Sequence, residues 1–393
     1  MSERAAQPGA RSALVSMFVS RSLAGRDIAL DALRGLAIIG MIIVNHQPPT
    51  GTMYSPFVHV AWHGWTLADT IFPAFLFTVG VSIVFALPHA ADATSPIGRV
   101  VYAKILRRWL LLVLISMALV NFPYYELGKL RVSGVLAQVA WCYLVVSLMH
   151  LHLHWRGMLA ALLFISLSSW ALLAWVIVPG FGAGQLTPEG NASRYIDHLL
   201  LGRHAEMFEF GEKGGYGLLV IYSSISSTLS GVLAGHWLRS SHPHADKING
   251  LFGIGVALEL LAFAWNAWLP INKLLWTSSF VALTTGMSLQ VLALLYWLKP
   301  LRSFETWVRP LQIAGVNALF FYVFAQSLQR VLVFGRVRGD DGVPVRFRML
   351  IYDHLFAPWV NGKLGAMIYT LSFLSICFAV IHVMYRKRIF IKL

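Results

Sequence analysis

The residues best equipped for chemistry lie close together, in the stretch HVAWHGWTLADTIFPAFLF from His59 to Phe77 and in Asn45 just before it. An imidazole that is neutral near pH 7 can accept a proton from a reacting group. His59 and His63 are four apart and would share one face of a helix, a spacing that suits a metal. No glutamate stands beside them as in H-E-x-x-H and no third ligand is in register, so no metal is expected. From spacing alone, the plain expectation for His59 is an interfacial histidine bonded to water or lipid. Thr66 and Asp69 form T-x-x-D before an apolar run, a capping-box pattern. Asp69 is thus equally a helix cap and a group to orient a histidine. Trp62 and Trp65 suit an aromatic belt at headgroup level.

These residues must be held by membrane helices. The chain is 57% hydrophobic and 12% charged over 393 residues, far from the balance of a soluble domain. About ten apolar stretches approach the length that crosses a bilayer: Ile28–His46, Leu67–Leu87, Leu106–Phe122, Val135–Leu151, Gly157–Val178, Tyr216–Leu238, Ile248–Leu269, Trp276–Leu298, Leu311–Phe334 and Leu364–Tyr385. The expected fold class is all-α and polytopic, with both termini cytoplasmic. Residues 1–26 form a cytoplasmic tail, 27–385 a transmembrane domain and 386–393 a basic tail. The first 26 residues lack the order of a signal peptide, and Arg11–Arg26 suggests an amphipathic surface segment. Cys142 and Cys377 both sit in apolar runs, which argues against a disulfide framework. Pro73 falls inside the second span, where it removes a backbone bond and should kink the helix.

With the N-terminus inside, most lysines and arginines fall on the cytoplasmic side, the closing YRKRIFIK among them. The net charge of +14 is then mainly a signal of orientation, not of nucleic-acid binding. One outer segment departs from the pattern: Arg330, Arg336, Arg338, Arg346 and Arg348 face only Asp340 and Asp341. Contact with anionic lipid is the plain reading and recognition of an acidic acceptor the sharper one. Other polar groups lie within the apolar runs. Asp31 and Arg34 can pair on one helix face. Glu259 must be protonated, paired or facing a cavity. His150, His152 and His154 alternate in what reads as a short solvated inner loop. A solute pathway accounts for such groups as well as an active site does, so a transporter or flippase stays open here.

The run DALRGLAIIGMIIVN, followed by HVAWHGWTLADTIFPAFLFTVGVSI, resembles the start of the heparan-α-glucosaminide N-acetyltransferase family. LRVSGVL, STLSGVLAG, LPINKLLWTSSF, GVNALFFYV and YRKRIFIKL follow in the same order, so the resemblance spans about Asp27 to Lys392. It implies a bacterial member without the extra lumenal domain and leading helix of the animal enzyme. It further implies acetyl transfer from cytosolic acetyl-CoA to a glucosamine amine on the far side of the membrane, in a bacterial inner membrane. The family's essential histidine falls on His59 and its helix-ending asparagine on Asn45. The animal enzyme has asparagine where this chain has His63, a further argument against a metal. Two departures bear on the acceptor: relatives read GVLQR where this chain has Gly134-Val135-Leu136-Ala137-Gln138, and DPEG where it has Gly214-Gly215-Tyr216-Gly217.

The resemblance suggests catalytic roles for His59 as general base, Asn45 as a donor to the developing oxyanion and Asp69. Direct transfer and an acetyl-histidine intermediate both fit. Arg34, Lys104, Arg107 and Arg108 cluster at inner helix ends, where guanidinium groups can bind the phosphates of coenzyme A. The expected partners are acetyl-CoA, an amino-sugar acceptor, the lipid bilayer and a second copy of the chain in a homodimer, with no nucleic acid. A membrane O-acyltransferase is a further alternative.

Overall fold

The structure is a computed structural model that describes residues 19–20, 25–48, 50–88, 95–126, 130–202, 205, 217–338, 344–360 and 362–391. Most of the expected amphipathic segment 11–26, the stretch Gly214–Tyr216, Asp340, Asp341 and Lys392 lie outside the described residues. The helices are α1 (Ile28–Asn45), α2 (Leu67–Ala86), α3 (Pro96–Asn121), α4 (Val135–His152), α5 (Trp155–Trp175), α6 (Ala192–Leu201) and α7 (Leu218–Arg239). They continue with α8 (His244–Trp265), α9 (Ser278–Leu298), α10 (Phe304–Val316), α11 (Ala318–Phe334), α12 (Phe347–Leu355) and α13 (Gly362–Arg386). Strands among the described residues form only short antiparallel pairs. These are β1 (Val19–Ser20) with β6 (Phe390–Ile391), β2 (Ile177–Val178) with β3 (Gly182–Ala183), and β4 (Arg336–Arg338) with β5 (Pro344–Arg346).

Eight of these helices, α1, α2, α4, α5, α7, α8, α9 and α13, are long and apolar enough to cross a membrane. The expected span Leu106–Phe122 lies in α3, whose first half carries Arg99, Lys104, Arg107 and Arg108 and so fails on charge. Even so, α3 runs antiparallel to α4 along its length. The Tyr102 hydroxyl meets His152 at 2.7 Å at one end, and the Ala137 N–H donates to the Ser116 hydroxyl at 3.1 Å toward the other. Leu106, Leu110 and Leu114 form an exposed stripe on α3, as a lipid-facing helix requires.

The expected continuous span Leu311–Phe334 is broken at Asn317, where α10 and α11 meet at 70°. Asn317 is the physical reason. Its backbone leaves the helical region, its amide donates to the Ile389 carbonyl at 3.0 Å, and its oxygen accepts the Ile391 N–H at 3.0 Å. The Asn317 joint thus lies at the end of the bundle that holds the C-terminal strand. Lys299, just past α9, bonds Asp27 at 2.9 Å, so α10 starts and finishes at this same end, hereafter the Asp27 end. Only α11 continues toward the opposite, Asn45 end.

The spans differ in burial. In α2 and α7, 78% of the span window is buried, against 22% in α5 and 17% in α8, so α2 and α7 are the axis and α5 and α8 the rim. Glycine explains how the axis closes. A Cβ on Gly80 would run into the Thr228 carbonyl, and one on Gly231 into the Phe77 carbonyl. The backbones of α2 and α7 therefore touch, which gives STLSGVLAG its small residues a packing role. Gly35 and Gly315 do the same for α1 against α10. Gly231→Leu should force α2 and α7 apart and cost at least ~1–3 kcal/mol, the range for overpacking a close contact. A lower melting temperature in detergent, with the monodisperse peak shrinking, checks this.

Several polar expectations are met or revised at the Asp27 end. Asp31 and Arg34 pair at 2.8 Å, and Arg26 joins them on the same carboxylate. His150 is not in a solvated loop: α4 extends to His152, and His150 is buried with its ring 5.2 Å from that of His236. Glu259 is half-buried on α8 and packs over Gly286 of α9. Cys142 and Cys377 are buried, free thiols. α2 continues unbroken through Pro73 from Leu67 to Ala86.

Candidate active site

At the Asn45 end, the loop from α1 to α2 and the loop from α8 to α9 meet over a cavity of about 360 Å³. The first loop is not helical around His59 and His63, so the two histidines do not share a helical face as their spacing suggests. They go to different partners. The His59 Nδ1 meets Asp69 Oδ1 at 2.7 Å, while His63 Nδ1 accepts from the Asn272 amide at 3.3 Å. Partial desolvation pushes His63 below the ordinary imidazole value. Among the described residues no three histidine, cysteine or acidic groups converge as metal ligands do.

Asp69 serves both roles that its position left open. Its Oδ2 accepts the Thr66 N–H at 3.0 Å and the Val60 N–H at 3.3 Å, with the Thr66 hydroxyl at 3.1 Å, and so caps the start of α2. Its Oδ1 takes His59 and, at 3.4 Å, the ammonium of Lys273. The residue is 1% exposed. A carboxylate so buried must be fully satisfied, and this one is.

Lys273 lies in LPINKLLWTSSF, but nothing in its spacing marks it out for the site. Its Nζ stands 3.1 Å from His59 Nδ1. Burial pushes this ammonium below the ordinary lysine value, against the opposing pull of Asp69. The loop that presents it is stitched from within. Ile271 N–H donates to the Asn266 side chain at 2.8 Å, Leu275 N–H to the Asn272 side chain at 2.9 Å, and Thr277 N–H to the Asn272 carbonyl at 3.1 Å. Trp276 takes a positive φ of 50°, an uncommon conformation for a bulky residue, and its indole N–H donates to Ser227 at 3.1 Å. Gly64 N–H donates to the Ile271 carbonyl at 2.8 Å and ties the two loops together.

Trp62 is not only a belt residue. It lines the cavity, and its indole N–H donates to the Leu186 carbonyl at 2.6 Å, bringing a third loop against the site. Asn45 ends α1 as expected, is exposed, and lines the cavity. No hydrogen bond holds its side-chain amide among the described residues. Gln138 also lines the cavity, is 1% exposed, and neither polar atom of its amide has a partner among the described residues. Arg330 belongs to α11 rather than to the outer loop where its neighbours in sequence place it. It lines the cavity and donates to the Phe122 carbonyl at 2.7 Å and the Val120 carbonyl at 3.1 Å.

The structure therefore unites His59, Asn45 and Asp69 and keeps Arg34, Lys104, Arg107 and Arg108 as a separate group toward the Asp27 end. Arg34 is engaged there by Asp31 and by Ser82 at 2.6 Å. Lys104 is exposed, Arg107 is half-buried, and the Arg108 guanidinium lies 4.5 Å over the Tyr143 ring.

Chemically, the His59–Asp69 pair is suited to proton transfer. With Nδ1–H committed to the carboxylate, the Nε2 lone pair is left to accept a proton. His59 keeps 39% of its side chain exposed, so a ligand can reach it.

Fold and site together define a polytopic α-helical membrane protein with a histidine–carboxylate pair at one mouth of its bundle. Residues 26–194 match the family model described as the catalytic region of heparan-alpha-glucosaminide N-acetyltransferase. The chain is also similar to the heparan-alpha-glucosaminide N-acetyltransferases of Mus musculus and Homo sapiens. It is 28% identical to each, with 82% and 75% of this chain covered and 56% and 52% of theirs. The chain is thus similar to this family, by the family model over residues 26–194 and by the two relatives, at 28% identity, through most of its length. It spans about half the length of those relatives.

Proposed function

We propose that the protein is a transmembrane N-acetyltransferase that moves acetyl from acetyl-CoA to the amine of a glucosamine-type sugar, with His59 as general base. The observation that carries this reading is the His59–Asp69 pair at 2.7 Å, which directs Nε2, with the Lys273 ammonium 3.5 Å away, to a cavity also lined by Asn45. The names of the mouse and human relatives support the reaction class.

An amine attacks only when unprotonated, and His59 Nε2 takes the proton released as the new N–C bond forms. As the C–S bond breaks, the same proton passes to the departing coenzyme A thiolate. Negative charge gathers meanwhile on the former thioester oxygen, where the Asn45 amide can donate to it. Asp69 orients the ring and stabilises the transient imidazolium. The cavity walls hold amine and thioester together, which removes much of the entropic cost of a two-substrate step.

In this reading the Asp27 end and both termini are cytoplasmic, in a bacterial inner membrane. The basic groups Lys104, Arg107 and Arg108 then receive the phosphates of coenzyme A, and its pantetheine arm reaches between the helices toward His59. Arg34, already engaged by Asp31 and Ser82, braces that surface. The acceptor arrives from the other side, past the exposed arginines of the β4–β5 hairpin, which favour acidic amino-sugar oligosaccharides over neutral ones.

The test is purified protein in detergent with acetyl-CoA and glucosamine, followed by free thiol and product mass. Acetyl-CoA-dependent N-acetylglucosamine supports the proposal, and movement of sugar without covalent change would replace it with transport. Asn45→Ala should slow the rate by ~10²–10³ with the fold intact, the usual loss for one oxyanion donor. An unchanged rate would leave Asn45 as a helix-end residue only.

A further inference from the structure

His59 Nδ1 lies within bonding distance of two groups that demand opposite things of it. Asp69 Oδ1, at 2.7 Å, can only accept, so it needs a proton on Nδ1. The ammonium of Lys273, at 3.1 Å, can only donate, so it needs a lone pair there. At Nδ1 a neutral imidazole satisfies one of them at a time, and the ammonium also lies 3.5 Å from Nε2. When Nδ1 bears the proton, Nε2 is the accepting atom and the ring is a base toward the cavity. When Nδ1 accepts from Lys273, Nε2 bears the proton and the ring offers only a donor.

We propose that Lys273 is a positioning residue that sets how readily His59 takes up a second proton, holding the ring neutral and ready rather than already protonated. This rests on the reading of His59 as the base. The shorter contact and the full negative charge of Asp69 favour the Nδ1–H form. Lys273 is then left with Asp69 Oδ1 at 3.4 Å and His59 Nε2 at 3.5 Å. From there it offsets the carboxylate's charge as His59 feels it. The ammonium counters the carboxylate's attraction for a second proton without displacing the hydrogen bond.

Among the described residues, Arg330 and Tyr322 on α11 are the other charged or titratable groups lining this cavity, and His63 lies in the same loop. Arg330 donates to the Val120 and Phe122 carbonyls, and His63 accepts from Asn272. The Lys273 loop is held by Asn266, Asn272 and Thr277, so its backbone position does not depend on the ammonium.

The experiment follows carbethoxylation of His59 by diethyl pyrocarbonate against pH, mapped by peptide mass in the full-length protein in detergent. The reagent attacks the unprotonated ring, so the midpoint of the rate profile reports His59 without any turnover. Lys273→Met should raise that midpoint by ~1 pH unit, the effect of removing one nearby like charge. Lys273→Arg should keep the wild-type midpoint. Lys273→Gln, which keeps a donor but no charge, serves if the methionine protein is not monodisperse, and should behave as the methionine variant does. A midpoint that is unchanged or lower in the uncharged variants overturns the inference and leaves Lys273 a tether between loops. The acid limb of kcat/KM for acetyl transfer provides the separate check on the base. If the carbethoxylation midpoint moves and the acid limb does not, Lys273 acts as inferred and another group is the base.

Discussion

A His59→Ala protein should still bind acetyl-CoA while its acetyl transfer falls by ~10²–10⁴, the contribution of a positioned general base. In the proposed reading, the basic groups that would receive the nucleotide end of the donor lie apart from the imidazole, so loss of one leaves the other in place. His59 is partly exposed and sits in a loop, so truncating it opens no core cavity, and its thermal stability should remain near that of the parent. Calorimetric binding of acetyl-CoA together with single-turnover transfer separates the two effects. Near-parental turnover in a well-folded His59→Ala protein would overturn its role.

Asp69→Asn should be about as damaging to the chemistry and nearly as gentle on the fold. An asparagine oxygen can still accept the Thr66 N–H, so the start of α2 stays capped at a cost of a few tenths of a kcal/mol. The amide carries no charge to steady an imidazolium, however, and its NH2 presents a donor to Nδ1, which favours the unproductive tautomer. The same substitution in a serine-protease triad costs about 10⁴ in rate by that route, and ~10³–10⁴ is expected here. Asp69→Ala should add a loss of about 1 kcal/mol in stability, because the cap goes as well. Equal melting temperatures for the two variants would mean that Oδ2 contributes little to the helix start.

The spans were readable because an apolar run of bilayer length has one common explanation, and the residues at their ends were readable by type. Asp69 announced itself as T-x-x-D, yet the same four letters could not tell that one oxygen would cap the helix and the other hold a histidine. Lys273 was invisible because its partner lies 214 positions away in sequence; only the folding of two loops over one mouth makes them neighbours. Arg330 misled for a related reason. Its position among arginines suggested the loop, while α11 continues through it and turns it to the carbonyls of Val120 and Phe122. The break at Asn317 was hidden too: apolar character persists across it, and the bend is imposed by bonds to residues at the far end of the chain.

That last feature has a practical side. Residues 390–391 pair with residues 19–20, and the Asn317 side chain grips residues 389 and 391. Residues 389–391 are therefore a fastening. The joint they secure is the root of α11, the helix that presents Tyr322 and Arg330 to the cavity. An insertion that breaks the pairing of residues 389–391 should loosen this joint, whereas a handle placed in the exposed turn between α7 and α8, around Ser241, leaves that pairing itself intact.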